Sequence, residues 1–321
     1  MRTAIVPLLA LLATGCIKDE LPVPAHPRGD ARQVQVCMGS GYQDQVWYDP
    51  AQDAVVATNP KTAWDLAFTS DPDDWRVWLN GANLMTVWNT GQTDITLSTD
   101  TTGMAAQARI DAASGEPDST AFGDWRNADD VYVVHRGFNA FGTPLGLRKL
   151  QFIAEDADAY VFRTAALDGS EEQEFQVPRD PTRWYTYFSL TTNSTVAIEP
   201  PKDSWQLLFT QYTYRFHDPY LAYLVTGVLI QPGQARVSRI DGADFNAVSL
   251  ADTLAHPFSI HRDRIGYDWK AYSFDTNSYT VDAGQVYIVM DRQGHAYKLH
   301  FLDFYNDQGQ AGCPTFELQE L

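Results

Sequence analysis

Apolar and polar residues alternate along much of the chain after about residue 34, and this pattern predicts strands. Residues 147–153 and 296–302 have the two-residue period of a half-exposed strand. Residues 131–134 (VYVV) and 286–289 (VYIV) are β-branched and aromatic runs, which favour strands. Asp-Gly and Asn-Gly pairs provide turns between such segments. The chain is therefore predicted to be all-β.

Two segments depart from the strand pattern. Residues 103–113 (GMAAQARIDAA) have the composition of a helix, and they are the one helix that the sequence predicts. Residues 241–268 form a long, weakly patterned segment with one apolar stretch. Because loops of that length are usually functional or disordered, this segment is a candidate binding loop.

The N-terminus has the pattern of a lipoprotein signal peptide. One basic residue, a short apolar run and small residues precede Cys16, and the run is too short to span a bilayer. Residues 12–16 (LATGC) resemble a lipobox, with Ala13 where Leu is usual. We therefore predict that residues 1–15 are removed and that Cys16 carries lipid. Ile17 favours the outer membrane, and an ordinary cleaved signal is the alternative.

Residues 16–33 are predicted to be a polar tether, because they are rich in proline and charge and poor in apolar residues.

Five features recur in the same order in the two halves of the chain, which suggests a tandem duplication. Residues 34–180 and 181–321 would then be two sheet-rich units, each with a hydrophobic face that needs a cover. Chance repetition of a W-x-L-x-F pattern is the alternative. The paired features are 47–55 with 188–196, 64–68 with 205–209, Trp125 with Trp269, 131–134 with 286–289, and 148–152 with 297–301.

Composition limits the possible partners. The chain has 23 basic and 41 acidic side chains, a formal net charge of −18. Such a charge argues against binding to nucleic acid or to anionic lipid surfaces. Aromatic residues make up 13% of the chain, which suits packed sheets. Since no nucleophile, zinc-protease or phosphate-loop motif occurs in the sequence, we do not expect an enzyme.

Two cysteines remain if Cys16 carries lipid. Cys37 and Cys313 lie at opposite ends of the folded part of the chain. Exported compartments permit disulfides, so we predict a bond between them, with two separate buried thiols as the alternative.

The end of the chain and one segment of its first half resemble the HmuY family of lipoproteins. Residues 296–321 (AYKLHFLDFYNDQGQAGCPTFELQEL) are similar to the family's closing strands, in which a Tyr-Lys-(Ile/Leu)-x-Phe strand precedes a short turn and a final Thr-Phe strand. Residues 64–68 (WDLAF) and 75–81 (WRVWLNG) resemble the family's Trp-Asp-(Ile/Met)-Ala segment and the strand after it. The resemblance implies two tandem HmuY-like units.

It also implies a function. HmuY-type proteins are all-β lipoproteins of the outer membrane that capture haem and pass it to a TonB-dependent receptor. Membership would therefore imply binding of haem or a related tetrapyrrole for uptake. The alternative is a structural or interaction lipoprotein that keeps the fold and has lost the iron site.

The family's iron ligands are not preserved in this sequence. The resemblance places one ligand five residues after Trp269, where Phe274 stands, and the other on a loop 25–30 residues before it, where there is no His or Met. Phe274 cannot ligate iron.

Other histidines are candidate ligands, because neutral imidazole suits iron and zinc. His256 and His261, five residues apart on the long loop, are the first choice as haem and metal ligands, and His217 is a third candidate. Phe258, Tyr267 and Trp269 are expected to pack on a porphyrin face. Each histidine is, as the alternative, an ordinary loop residue.

Overall fold

The computed structural model describes residues 29–126, 128–233 and 235–321, and the predicted signal peptide and Cys16 lie outside them. The described residues form twenty strands and five short 3₁₀ helices, and they contain no α-helix. The prediction of an all-β fold is confirmed. No helix in the described part of the chain is long and apolar enough to cross a membrane.

The strands have the following bounds. They are β1 (Arg32–Gln35), β2 (Asp44–Asp49), β3 (Ala54–Pro60), β4 (Leu66–Thr69), β5 (Val77–Leu79), β6 (Thr86–Asn89), β7 (Val131–His135), β8 (Leu147–Glu155), β9 (Ala159–Ala165), β10 (Gln173–Pro178), β11 (Tyr185–Ser189), β12 (Ser194–Val196), β13 (Leu207–His217), β14 (Tyr220–Ile230), β15 (Arg236–Ile240), β16 (Lys270–Ser273), β17 (Ser278–Val281), β18 (Val286–Met290), β19 (Ala296–Tyr305) and β20 (Ala311–Glu320).

Eighteen of these strands build four antiparallel sheets, and β16 and β17 form a separate hairpin. Sheet I has the order β10-β9-β8-β7-β6, and sheet II has the order β12-β11-β4-β5. Sheet III has the order β14-β13-β2-β3, and sheet IV has the order β1-β20-β19-β18-β15. Sheets II and III therefore each pair, at their middle, two strands that are far apart in the sequence, β4 with β11 and β2 with β13.

Three hydrophobic layers separate the four sheets. Sheets I and II enclose one cluster, which includes Phe68 and Phe162, and sheets III and IV enclose another, which includes Phe209 and Phe316. A third cluster, with Trp205 at its centre, joins sheet II to sheet III. Because both faces of the central sheets are covered, their strands carry apolar residues at successive positions, as in residues 66–69.

The strands group into two nested bodies. All strands of sheets I and II lie between residues 66 and 196, whereas sheets III and IV combine residues 32–60 with residues 207–320. The predicted units 34–180 and 181–321 therefore cut across the sheets and need correction. The physical reason is that β2 pairs with β13, so the N-terminal strands complete the sheets of the C-terminal body.

The two bodies contain equivalent aromatic packing. Trp125 lies 4.7 Å from Phe152 in the first body, and Trp269 lies 3.8 Å from Phe301 in the second, centroid to centroid. In the central cluster, Trp64 meets Tyr187 of the first body edge to face at 4.8 Å, and Trp205 meets Trp47 of the second body edge to face at 4.6 Å. Trp64 and Trp205 thus lie in equivalent places, as the repeat predicts, although duplication itself stays a prediction.

The predicted helix at residues 103–113 is wrong. Only Met104–Gln107 is helical, as one 3₁₀ turn that follows Gly103 in the left-handed conformation at φ +79°. Arg109 then exchanges both backbone hydrogen bonds with Val87 on the free edge of sheet I. Pairing with the sheet edge satisfies backbone N–H and C=O groups of this segment that a short isolated helix would leave exposed to water.

Other predicted segments are confirmed with small changes. Residues 241–268 form a long connection containing the 3₁₀ helix Leu250–Leu254. Strand β1 begins at Arg32, inside the predicted tether at 16–33, and residues 16–28 of that tether lie outside the described part of the chain. The segments 131–134, 147–153, 286–289 and 296–302 all lie in strands.

The predicted disulfide is confirmed. Cys37 and Cys313 are bonded, with their Cα atoms 4.0 Å apart. The bond ties the segment between β1 and β2 to strand β20, and it closes a loop with a sequence separation of 276 residues.

Candidate functional site

His217 stands at the end of the long hairpin formed by β13 and β14. Its ring is exposed, and the register places it opposite Tyr220. Because side chains alternate along a strand, His217 shares its face with Leu207 and Phe209. Thr213, on the same face and nearer to His217, donates a hydrogen bond of 2.8 Å to the carbonyl of Gly81 in the first body.

His256 and His261 lie on the long connection, as predicted from the sequence. The backbone carbonyl of His256 accepts a hydrogen bond of 2.6 Å from Ser238. His261 is half-exposed, and its Nε2 lies 2.8 Å from a carboxylate oxygen of Glu116. The Nε2 atom is therefore engaged with a carboxylate, and a metal ion would have to displace that contact. Their role as ligands stays a prediction.

The position that the family resemblance assigns to an iron ligand lies at an exposed hairpin tip. Phe274 directly follows β16 and has 86% of its side chain exposed. Tyr272 packs against it edge to face, with ring centroids 5.2 Å apart. An exposed pair of rings at a hairpin tip is an apolar surface without a cover.

Lys270 holds this hairpin beside β14. Its ammonium donates a hydrogen bond of 2.5 Å to the carbonyl of Thr226 and lies 4.3 Å from the ring centroid of Trp269 and 4.6 Å from that of Phe304. Burial lowers the pKa of Lys270 to about 7. This contact places the β16–β17 hairpin beside the β13–β14 hairpin.

Tyrosines continue the contact between the hairpins. Burial raises the pKa of Tyr279 on β17, and Tyr223, Tyr305 and Tyr272 lie close enough to raise it further. Tyr223 is 55% exposed and Tyr272 is 42% exposed. We call the group formed by Tyr223, Tyr272 and Phe274 the hairpin surface. His217 lies at the turn of the β13–β14 hairpin, but the register of the two strands puts its side chain on the other face from Tyr223.

The aromatic residues expected to cover a porphyrin are placed differently. Trp269 is fully buried and stacks on Phe301, so it is core and the expectation for it is wrong. Phe258 packs against the cluster on the outer face of sheet IV, with the guanidinium of Arg236 5.0 Å from its ring. Tyr267 packs 5.1 Å from Tyr214. In a protein with a large core between sheets, an aromatic ring packs into the core when the neighbouring positions of the chain are buried.

His300 is a buried histidine of strand β19. Residues 296–302 have the alternating pattern of a half-exposed strand, which puts His300 on the exposed face, but only 8% of it is exposed. Its Nδ1 lies 2.8 Å from the carbonyl of Ala283, its Nε2 lies 2.9 Å from Glu317, and its ring stacks on Phe245 at 4.3 Å. The long connection covers this face of the sheet, which the two-residue period does not reveal.

A cavity of about 80 Å³ lies between sheets II and III, lined by Trp47, Trp64 and Trp78 among others. Drug-sized ligands occupy pockets of roughly 300–1,000 Å³, so this cavity does not fit a porphyrin. Within the described residues, no three His, Cys, Asp or Glu side chains are grouped to hold a metal ion.

Comparison with known proteins connects the second body to one family. The HmuY family model matches residues 237–318, a span that contains the long connection, the β16–β17 hairpin and most of sheet IV. The resemblance to the HmuY family is thereby confirmed over these residues. No curated relative matches the chain.

Three solved structures are similar to the chain. Apo PinO from Porphyromonas gingivitis is 10% identical with a TM-score of 0.34, and the match covers 91% of this chain and 98% of that one. A protein described as an HmuY_like heme binding protein, from Bacteroides vulgatus, is 11% identical with a TM-score of 0.23, over 53% and 90% of the two chains. The apo HmuY analog from Tannerella forsythia is 13% identical with a TM-score of 0.22, over 54% and 95%.

Proposed function

We propose that this protein is an HmuY-like lipoprotein that binds haem or a related tetrapyrrole at the hairpin surface, for uptake. The observation that carries the proposal is the group of exposed aromatic rings on two adjacent hairpins, one of which has the exposed His217 at its turn. The family match over residues 237–318 supports it, because the match includes Tyr272 and Phe274.

A flat, largely apolar ring suits this surface. Tyr272 and Phe274 expose aromatic faces on which a porphyrin can stack, and such contacts add to the gain from burying apolar area. Tyr223 approaches from the neighbouring hairpin. The cavity between sheets II and III is too small for haem, so it is not the proposed site.

His217 is the ligand that we favour for the iron. Neutral imidazole is a common axial ligand of haem, and His217 is the one of the three candidate histidines that lies on one of these two hairpins. His256 and His261 on the long connection are the competing pair. Bound haem would supply the iron centre, while the protein supplies the ligand and an apolar face.

The remaining parts of the proposal concern location and partners. A lipid on Cys16 would hold the protein at the outer membrane, with residues 17–31 as tether. The formal charge of −18 would keep the folded part away from anionic surfaces and from nucleic acid. A TonB-dependent receptor that takes over the haem is the expected partner.

Absorbance titration with haem tests the proposal. The purified protein should develop a Soret band that saturates at one haem per chain. His217→Ala should shift the band and weaken binding at least about tenfold, because an iron–imidazole bond is lost. The double variant His256→Ala, His261→Ala is the matched control and should bind like the parent.

Two outcomes would contradict this assignment. If the double variant loses the band and His217→Ala keeps it, the iron lies at the long connection. If the parent shows no saturable band, the protein does not bind haem, and the alternative of an interaction lipoprotein without an iron site replaces the proposal.

A further inference from the structure

A pocket of about 180 Å³ lies where the long connection meets strand β13 and the edge strand β15 of sheet IV. Tyr212 and Tyr214 line it from β13, Arg239 lines it from β15, and its other lining residues lie between positions 261 and 268. None of the three residues of the hairpin surface lines it. The pocket is therefore distinct from that surface.

Aromatic rings form one side of this pocket. The rings of Tyr214 and Tyr267 pack edge to face, with their centroids 5.1 Å apart. Phe216 packs against both, at 5.1 Å from Tyr214 and 6.4 Å from Tyr267. Both tyrosines line the pocket and are only partly buried. Because the face of an aromatic ring attracts cations, this side of the pocket suits an ammonium group.

Asp263 lines the same pocket and has no partner for its charge. No side chain in the described residues donates a hydrogen bond to its carboxylate or places a cation within 4 Å of it. Burial raises the pKa of Asp263, and the charge of Asp268 raises it further, although His261 and Arg262 lower it. Asp268, in contrast, accepts hydrogen bonds from Arg239 on both oxygens, at 2.9 and 2.7 Å. A partly buried carboxylate without a counter-ion is stabilised by a bound cation.

The charge around the pocket also favours a cation. The charged residues that line it are Asp263, Asp268, Arg239, Arg264 and His261. Two further carboxylates stand directly behind them, because Asp241 lies 2.8 Å from Arg239 and Glu116 lies 2.8 Å from His261. Carboxylates therefore outnumber guanidinium groups by four to two. An anion would meet this excess of negative charge, and a neutral molecule would leave Asp263 without a counter-ion.

We propose that this pocket binds a small organic cation, with its ammonium group beside the Asp263 carboxylate and against the rings of Tyr214 and Tyr267. The volume of about 180 Å³ accommodates a cation the size of choline and is smaller than the roughly 300–1,000 Å³ of pockets for drug-sized ligands. The proposal does not rest on haem binding, and its test uses the protein without haem.

Isothermal titration calorimetry with choline tests the site. Choline should bind saturably at one molecule per chain. Its neutral isostere 3,3-dimethylbutan-1-ol has the same shape without the charge and should bind at least about tenfold more weakly. Asp263→Asn should weaken choline binding at least about tenfold, because the carboxylate is lost, and Tyr267→Leu should weaken it about threefold or more, because one ring is lost.

Asp241→Asn is the matched control, since Asp241 pairs with Arg239 but does not line the pocket. It should bind choline like the parent. Asp263→Asn should unfold at no lower temperature than the parent, because its carboxylate has no protein partner to lose. If choline does not bind, if the neutral alcohol binds equally well, or if Asp263→Asn binds choline like the parent, the proposal is wrong. An equal loss in Asp241→Asn would show a general effect of charge and would also contradict the site.

Discussion

At the residue scale, two buried lysines hold the loops that cover the outer sheets. Lys149 on β8 donates hydrogen bonds to the carbonyls of Ile95 and Leu97, at 2.5 and 2.6 Å. Lys298 on β19 donates to the carbonyls of Phe245 and Val248, at 2.7 and 3.0 Å. Each ammonium thus satisfies carbonyls that the loop would otherwise bury unpaired.

Replacing Lys149 by Met should lower the free energy of unfolding by about 2–3 kcal/mol, because two buried carbonyls lose their donor. Urea denaturation measures the change. The half-exposed Lys202→Met is the control and should cost at most about 1 kcal/mol. A loss below 1 kcal/mol for Lys149→Met would show that the two hydrogen bonds do not stabilise the fold.

Glu199 should make stability depend on pH. Burial raises its pKa to about 8, although its carboxylate accepts hydrogen bonds from the backbone of Trp184 and Tyr185. A raised pKa in the folded state favours the protonated form. The stabilisation is therefore complete below the unfolded value of about 4.5 and is lost as the pH rises through 8.

Glu199→Gln should remove this dependence. Relative to the variant, the parent should lose roughly 2–4 kcal/mol of unfolding free energy between pH 4.5 and pH 8.5, measured by urea denaturation. Glu171→Gln, which changes an exposed carboxylate, serves as control and should parallel the parent. If the unfolding free energies of the parent and of Glu199→Gln change with pH in parallel, Glu199 does not cause the pH dependence.

At the element scale, the strands near the N-terminus complete sheets made mainly by the C-terminal part of the chain. Strand β1 pairs with β20, β2 pairs with β13, and the Cys37–Cys313 disulfide locks this arrangement. Loop closure over so many residues is costly for an unlinked chain. The disulfide therefore should stabilise the fold mainly by restricting the unfolded chain.

Replacing both cysteines by serine should lower the free energy of unfolding by about 3–5 kcal/mol. Denaturation of the variant and of the reduced parent should agree, since both lack the bond. If the double variant is within about 1 kcal/mol of the oxidised parent, the entropy account of this bond is wrong.

The positions of the strands are easier to predict from the sequence than the pairing of those strands in sheets. The runs at 131–134 and 286–289 specify buried strands locally, so they were identified correctly. The pairing of β2 with β13 depends on contacts across more than 150 residues, which no local pattern encodes. The same limit applies to the site. His217 is a candidate from its residue type, whereas the hairpin surface depends on the contact by which Lys270 places β16 beside β14.

At the scale of the whole molecule, one body is inserted into the other. Residues 66–196 supply every strand of sheets I and II, and the flanking residues supply sheets III and IV. The predicted boundary between residues 180 and 181 does not fall between these bodies, because β11 and β12 belong to sheet II whereas β2 pairs with β13 in sheet III, and the duplication stays a prediction.

A fragment of residues 61–200 should therefore fold by itself, and a fragment of residues 34–180 should not. The first contains all strands of sheets I and II, whereas the second lacks β11 and β12 and carries an unpaired β2–β3 hairpin. Circular dichroism with urea should show a cooperative transition for 61–200 alone, at lower stability than the full chain, because the central cluster is uncovered. Cooperative folding of 34–180 would contradict the nested arrangement.

The haem site is the central claim, and locating the iron tests it most directly. Crystals of the protein grown with haem should give an anomalous scattering peak from iron beside the His217 imidazole, with the porphyrin against Tyr272 and Phe274. That result would place haem on the hairpin surface. An iron peak beside His256 and His261, or no iron peak in crystals of protein saturated with haem, would contradict the account.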